Sequence, residues 1–342
     1  MIRGLVIRGS RNIFTVRIER SGAGPDAPRA VVNETGFECR IKGKVLKGVE
    51  GFYNPLAPGD WVTVEEDPDR PGTARILAVE ERRNRFTRCN QKGLGANRSA
   101  ASQLLAANVD LILCITTPAS PPWRPRFLDR VLVQAEIARI PAIIVCNKWD
   151  LFDGDPDTEE RLEDFRRIGY PVLRVSAVTG EGMDALRDLT GGRLSVLVGQ
   201  SGVGKSSLIN ALLPDMNQRV GGINEKYDRG NHTTAMSVLL EAPADAAPAI
   251  AGEQSSHPVR TRFIDTPGIR RLLPDGISPE ELILYMKEFA PLAGTCTYGL
   301  SCSHETEPGC KIMEAVAAGV IHEDRYESFL RLRDELAGSR YE

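Results

Sequence analysis

The chain has 342 residues, 42% apolar and 26% charged, which is enough to bury a large core and too apolar for bulk disorder. The net charge of −3 argues against a general nucleic-acid coat protein, yet residues 1–100 hold eighteen Lys/Arg against twelve Asp/Glu, a local +6 that leaves −9 for the rest and points to a local anionic partner. That length spans two or three domains, and no apolar run approaches the roughly 18 residues of a membrane span.

Met1–Arg8 carries charge inside its apolar run and reads as a strand, not a secretion signal. Short runs at Leu5–Ile7, Phe14–Ile18, Phe37–Ile41, Trp61–Val64 and Ile76–Val79 predict five strands of a small antiparallel barrel over residues 1–82, an OB-like fold. Such barrels commonly bind oligonucleotides on one face. Lys42, Lys44 and Lys47 follow the third strand, and Arg82, Arg83, Arg85 and Arg88 follow the fifth, as candidate RNA-phosphate contacts. A charge run alone more often marks a solvated face. Residues 83–108 read as a basic linker, because 82–98 hold six Arg/Lys and no acid around Phe86.

From Val109 the texture changes. Continuous apolar runs at Val109–Ile115, Ala142–Cys146, Val172–Val175, Ser195–Val198, Ser237–Leu240 and Arg262–Ile264 predict buried strands, and Phe127–Arg139 has helix spacing. Residues 109–275 therefore read as a doubly wound α/β domain. Residues 242–258 read as a flexible insertion. Residues 276–342 read as a small domain, helical on both sides of a Cys/His cluster, with Phe329, Leu332 and Leu336 on one stripe.

Gly199-Gln200-Ser201-Gly202-Val203-Gly204-Lys205-Ser206, followed by Ser207, fits G-x-x-x-x-G-K-[ST] between a strand and a helix. The glycines let backbone N–H groups converge on phosphate, and the helix N-terminus adds partial positive charge. Lys205 would reach the β/γ-phosphates, and Ser206 would ligate Mg²⁺. Asn147-Lys148-Trp149-Asp150 ends a strand and resembles the guanine-reading N-K-x-D of GTPases. Asp150 would accept from the guanine ring N–H and amine, an edge that adenine does not offer. The next strand ends in Val175-Ser176-Ala177, which resembles the second guanine loop, with a backbone N–H such as that of Ala177 donating to the guanine carbonyl. Asp265-Thr266-Pro267-Gly268 resembles D-x-x-G. Asp265 would hold Mg²⁺ and the Gly268 N–H would meet the γ-phosphate. Between them lie His232, Thr233 and Thr234. Thr234 is assigned to Mg²⁺, and Thr233 stays open beside it.

Ile269 stands where Ras-like GTPases carry the water-orienting glutamine. Hydrolysis must use another residue, a partner or water alone, and His232 is the nearest candidate in sequence for a catalytic role beside Lys205. Slow intrinsic turnover, raised by a partner, is expected. The base loops precede the phosphate loop, which precedes D-x-x-G, so the order is circularly permuted.

Cys296, Cys302, His304 and Cys310 offer three thiolates and an imidazole, a closed structural Zn²⁺ set. The clustering of three of the seven cysteines points to a metal in a reducing compartment, not to a disulfide framework.

With the barrel, Gly59-Asp60-Trp61-Val62, the permuted order, the Gly230–Thr234 segment, the Cys/His cluster and Arg325–Leu330 all present, the sequence resembles the bacterial ribosome small-subunit-dependent GTPase A family over nearly its whole length. The five residues between Cys296 and Cys302 are one more than that family usually has. The resemblance implies a cytoplasmic GTPase that binds the 30S ribosomal subunit and its rRNA, is stimulated by it and acts late in its maturation, with GTP/GDP, Mg²⁺ and Zn²⁺, as a monomer away from membranes. A GTP-dependent factor acting on another RNA, or a GTP sensor with little hydrolysis, shares the same loops. A metabolic P-loop kinase would leave N-K-x-D unexplained.

Overall fold

The structure, a computed structural model, describes residues 1–10, 12–19, 36–42, 46, 52–89, 102–213, 237–242, 260–269 and 272–341. His232, Thr233, Thr234, Lys44, Lys47 and nearly all of the expected 242–258 insertion lie outside them. The chain divides into two compact units. The first takes Met1–Leu111, Ala185–Leu197 and Lys205–Pro267; the second takes Ile112–Asp184, Val198–Gly204 and Gly268–Glu342.

In the first unit, β1 (Ile2–Ser10), β2 (Ile13–Ile18), β3 (Phe37–Ile41), β4 (Trp61–Glu66) and β5 (Thr73–Val79) close a barrel in the order β1-β2-β3-β5-β4. Four pairs are antiparallel, but β3 and β5 run parallel. The expected five-stranded barrel is present, and its antiparallel pairing is corrected at this one pair. Directions cannot alternate all the way round a closed ring of five, so one pair must be parallel. Alternate side chains point inward, and Val6, Phe14, Val16, Val62, Val64 and Ile76 fill the interior.

The Gly59-Asp60 corner explains a sequence feature. Gly59 has φ +94°, and a Cβ there would come within 2.1 Å of the Ala107 carbonyl. Asp60 is fully buried. Its carboxylate accepts from Ala57 N at 2.9 Å and from Arg82 Nε and Nη2 at 2.7 and 2.9 Å. Arg82 is therefore spent inside the fold, because releasing it to a phosphate would strand a buried charge. Arg83 pairs with Asp110 at 2.6 Å, but this pair is exposed.

The stretch expected as a basic linker contains β6 (Arg85–Cys89) and β7 (Ser102–Ala107), paired antiparallel. Phe86 is fully buried there and anchors the ribbon. Beyond it lie β8 (Leu111–Thr116), α1 (Pro125–Ala138), β9 (Ala142–Cys146), α2 (Pro156–Arg167), β10 (Val172–Arg174), α3 (Met183–Thr190), β11 (Leu194–Gly199), α4 (Lys205–Leu212), β12 (Val238–Glu241) and β13 (Arg262–Asp265). In the second unit β10, β9 and β8 are parallel neighbours; in the first, β11 pairs parallel with β13, and β13 antiparallel with β12. Every residue of β8, β9 and β11 is buried, as continuous apolar runs require of strands covered on both faces.

After β13 the second unit forms three short 3-10 turns, at Leu282–Tyr285, Ala290–Leu292 and Gly299–Ser301, before α5 (Lys311–Ala317) and α6 (Glu323–Tyr341). The helix expected before the cluster is thus reduced to single turns. Pro291, Gly294 and Gly299 interrupt it before an α-helical nucleus can propagate. Phe329, Leu332 and Leu336 are buried on α6, as the stripe predicts.

Candidate nucleotide site and metal centre

β9 ends at Cys146, so the next residues emerge at the carboxyl edge of its sheet, where ligands bind in open α/β folds. Asn147 is buried, and its Nδ2 donates to the Val203 carbonyl at 2.9 Å. Its Oδ1 accepts from Ala177 N at 3.3 Å. One amide therefore clamps the base loop, the second guanine loop and the phosphate loop together. Lys148 takes a left-handed backbone, and its Nζ donates to the carbonyls of Gly202 and Ser120, each at 2.7 Å.

Ser176 Oγ donates to Asp150 Oδ1 at 2.5 Å and accepts from Val178 N and Thr179 N. This fixes one oxygen of an otherwise exposed carboxylate. Trp149 stacks on Phe152 with centroids 4.3 Å apart, and the Arg174 guanidinium lies 4.6 Å from its ring. These contacts brace the loop, and Asp150 presents an acceptor suited to paired N–H donors.

The phosphate loop leaves β11 at Gly199. Gly202 and Gly204 have φ of +87°, as a backbone curled toward an anion requires. Gly268 lies against this loop, since a Cβ on it would come within 3.0 Å of Ser201 N. In the first unit, Lys205 opens α4 with Ser206 and Ser207 in its first turn. Burial pushes the Lys205 ammonium down in pKa and the Asp265 carboxyl up, and each is opposed by the charge of the other. Among the described residues the buried Asp265 Oδ1 has no hydrogen-bond partner. A buried carboxylate oxygen left bare fits a site that receives a hydrated cation.

Ile269 is buried, and its N–H donates to the Gly199 carbonyl at 3.3 Å. Its side chain packs into the fold, in line with its inability to orient water.

Cys296, Cys302, His304 and Cys310 are all buried, and their ligand atoms lie within 4.8 Å of one another. His304 Nδ1 is 3.6 Å from Cys296 Sγ and 3.4 Å from Cys310 Sγ; the two sulfurs are 4.0 Å apart. Tetrahedral Zn²⁺ with Zn–S near 2.3 Å spaces its ligands about 3.5–3.8 Å apart, so the donor set fits. The extra residue before Cys302 does not exclude Cys296. His304 has φ +61°, unusual for a residue with a Cβ, and Tyr326 Oη pins its carbonyl at 2.6 Å. Burial lowers the His304 pKa, which favours the neutral imidazole that a metal needs.

A family model described as RsgA GTPase matches residues 79–273. The chain belongs to the RsgA GTPase family. A small ribosomal subunit biogenesis GTPase RsgA of Bacteroides fragilis is 36% identical, covering 99% of both chains. Another of that name from Chlorobaculum tepidum is 37% identical over 89% of this chain and 94% of its own. The crystal structure of YjeQ from Thermotoga maritima superposes with a TM-score of 0.65 at 30% identity, covering 98% and 99% of the two chains. YloQ, a circularly permuted GTPase, matches in fold with a TM-score of 0.60 at 24% identity, covering 99% and 96%. The chain is a GTP-hydrolysing enzyme, as its RsgA family is, with a closed barrel ahead of permuted motifs.

Sequence reasoning passed over Ser120, whose carbonyl steadies Lys148. A backbone acceptor leaves no signature in residue type.

Proposed function

We propose that the chain binds the small ribosomal subunit, hydrolyses GTP when that subunit stimulates it, and acts late in subunit maturation. The observation that carries the nucleotide half is the Asn147 clamp, with Asp150 held by Ser176 beside it. The names of the relatives support the ribosomal half.

Gly199–Gly204 and the Gly268 N–H would cradle the phosphates, Lys205 would neutralise charge on the transferred phosphoryl, and Ser206 and Asp265 would hold Mg²⁺. The ion that Ser206 and Asp265 would hold would supply positive charge to offset the negative charge that develops on the transferred group. Asp150 and Ala177 N would read guanine, with Lys148 covering its face. Thr234, or Thr233, and His232 would complete the site from the segment before β12. Because Ile269 faces the core, the chain lacks the usual water-orienting side chain at that position and needs the subunit to complete the site. Zn²⁺ would be held by Cys296, Cys302, His304 and Cys310 and would fold the turns around it. The division into a barrel (1–82), basic connector (83–108), GTPase segment (109–275) and zinc segment (276–342) is retained as part of this reading, as are a cytoplasmic location and a monomer.

The test is single-turnover GTP hydrolysis with and without purified small subunits. Stimulation by small subunits and none by transfer RNA is the expected result. Equal stimulation by both, or by neither, would overturn the ribosomal half of the reading.

A further inference from the structure

Glu241 ends β12, and three guanidinium groups converge on its side chain, which is 6% exposed. Arg262, its partner across the sheet in β13, reaches Oε2 at 3.2 Å, and Arg260 reaches Oε1 at 2.7 Å. The third is Arg17, from β2 of the barrel, whose Nη2 pairs with Oε2. Burial alone would push the Glu241 carboxyl up, but the arginines outweigh it and hold the group below the usual carboxylate range.

The register gives this cluster its reach. Glu241 faces Arg262 at one end of the β12–β13 ribbon, and Val238 faces Asp265 at the other. At about 3.4 Å per residue, some 10 Å of paired strand separates the Glu241–Arg262 pair from the Val238–Asp265 pair, which carries the proposed Mg²⁺ ligand. Leu239, Phe263 and Ile264 are buried along the ribbon, so it transmits a displacement as one packed piece. β12 also follows Thr233 and Thr234 closely in sequence. A buried ion pair contributes little net stability, yet it fixes geometry.

We propose that the Arg17–Glu241 pair links the barrel to the GTPase site, so that RNA engaged by the barrel sets the position of Asp265 and thereby the rate of GTP hydrolysis. Both are positioning residues. The inference rests on the subunit-stimulated reading above. RNA can shift the site only if the barrel is held differently against β12 in the bound and free states, and the pair is the charged contact through which that difference passes.

Arg17→Gln, Glu241→Gln and the double variant test this in single-turnover hydrolysis, alongside subunit co-sedimentation and unfolding midpoints. Arg260 and Arg262 remain with Glu241 in Arg17→Gln, so the fold should persist. Basal turnover should stay within about twofold of wild type, while turnover at saturating subunit should fall at least about fivefold in each single variant. The double variant should lose no more than either single, since both remove one interaction. Arg17→Lys, which keeps the charge, should recover much of the stimulation.

Additive losses, or full turnover at saturation with only weaker subunit binding, would overturn the link and make Arg17 a plain RNA contact. Tightened subunit binding by Glu241→Gln with stimulation intact would overturn it too. A wild-type chain that the subunit fails to stimulate would bring down the parent reading and the link together. A stimulated wild type with unaltered variants would bring down the link alone.

Discussion

Asn147 Nδ2 and the Val203 carbonyl lie 2.9 Å apart in the core, and this bond joins the base loop to the phosphate loop. Gly204 makes it possible. A Cβ there would come within 2.4 Å of Asn147 Nδ2, at a backbone φ of +87°. Gly204→Ala should therefore displace the amide and weaken GTP binding at least about tenfold, at a folding cost of about 1–2 kcal/mol. Isothermal titration with GTP, paired with a denaturation curve, checks both. Undiminished affinity would show that the clamp does not organise the site.

Asp150 offers carboxylate oxygens where guanine would present two N–H donors, and Ser176 fixes the carboxylate from behind. Asp150→Asn turns one acceptor into a donor. GTP binding should fall by about ten- to a hundredfold, the worth of one or two charge-assisted hydrogen bonds. Xanthosine triphosphate carries a carbonyl where guanine carries the amine, so it should bind the variant better than GTP does. Competition between the two nucleotides reads the preference, and a variant that still prefers GTP would count against Asp150 as the base reader.

Ile269 is 2% exposed, so restoring the Ras-like residue should not restore its chemistry. In Ile269→Gln the amide meets a packed interior, with an expected loss of about 1–3 kcal/mol. Basal hydrolysis measured without the subunit should not rise. A clear gain in turnover would mean that the position reaches the attacking water.

The strands were legible in the sequence because the fully buried runs of β8, β9 and β11 consist mostly of Val, Leu, Ile and Cys, with Ser195 as the one polar residue inside a run. The nucleotide loops were legible because their residue types are dictated by what they bind. Three features were not. The parallel β3–β5 pair follows from ring closure, a property of all five strands together. Arg82 reads as an RNA contact by charge alone, and only the fold reveals Asp60 beneath it. Glu241 and Arg17 are more than two hundred residues apart, and no local pattern joins them.

Metal removal separates a structural from an incidental cysteine cluster. The turns around Cys296–Cys310 are single 3-10 turns with little helix of their own, so the metal would supply much of their folding energy. Chelation of the purified chain should release one equivalent of zinc and lower the unfolding midpoint. Cys302→Ser should abolish stoichiometric metal while GTP binding persists. Unchanged metal content and thermal stability after chelation would remove zinc from the fold.

Arg325 is 1% exposed and donates to Asp129 through Nη1 at 2.7 Å and to Glu288 through Nε and Nη2 at 2.5 and 2.9 Å, so α6 is locked to α1 by a buried cation. Burial opposes its charge, but the two carboxylates outweigh that and raise its pKa. Arg325→Met removes the cation and strands both acids, with Arg161 Nη2 3.7 Å from Asp129 as partial relief. A loss of about 3–5 kcal/mol is expected from urea denaturation at neutral pH. Adding Asp129→Asn should recover part of the loss, because it removes one stranded charge. A double variant no more stable than Arg325→Met would assign the cost to lost packing instead of stranded charge.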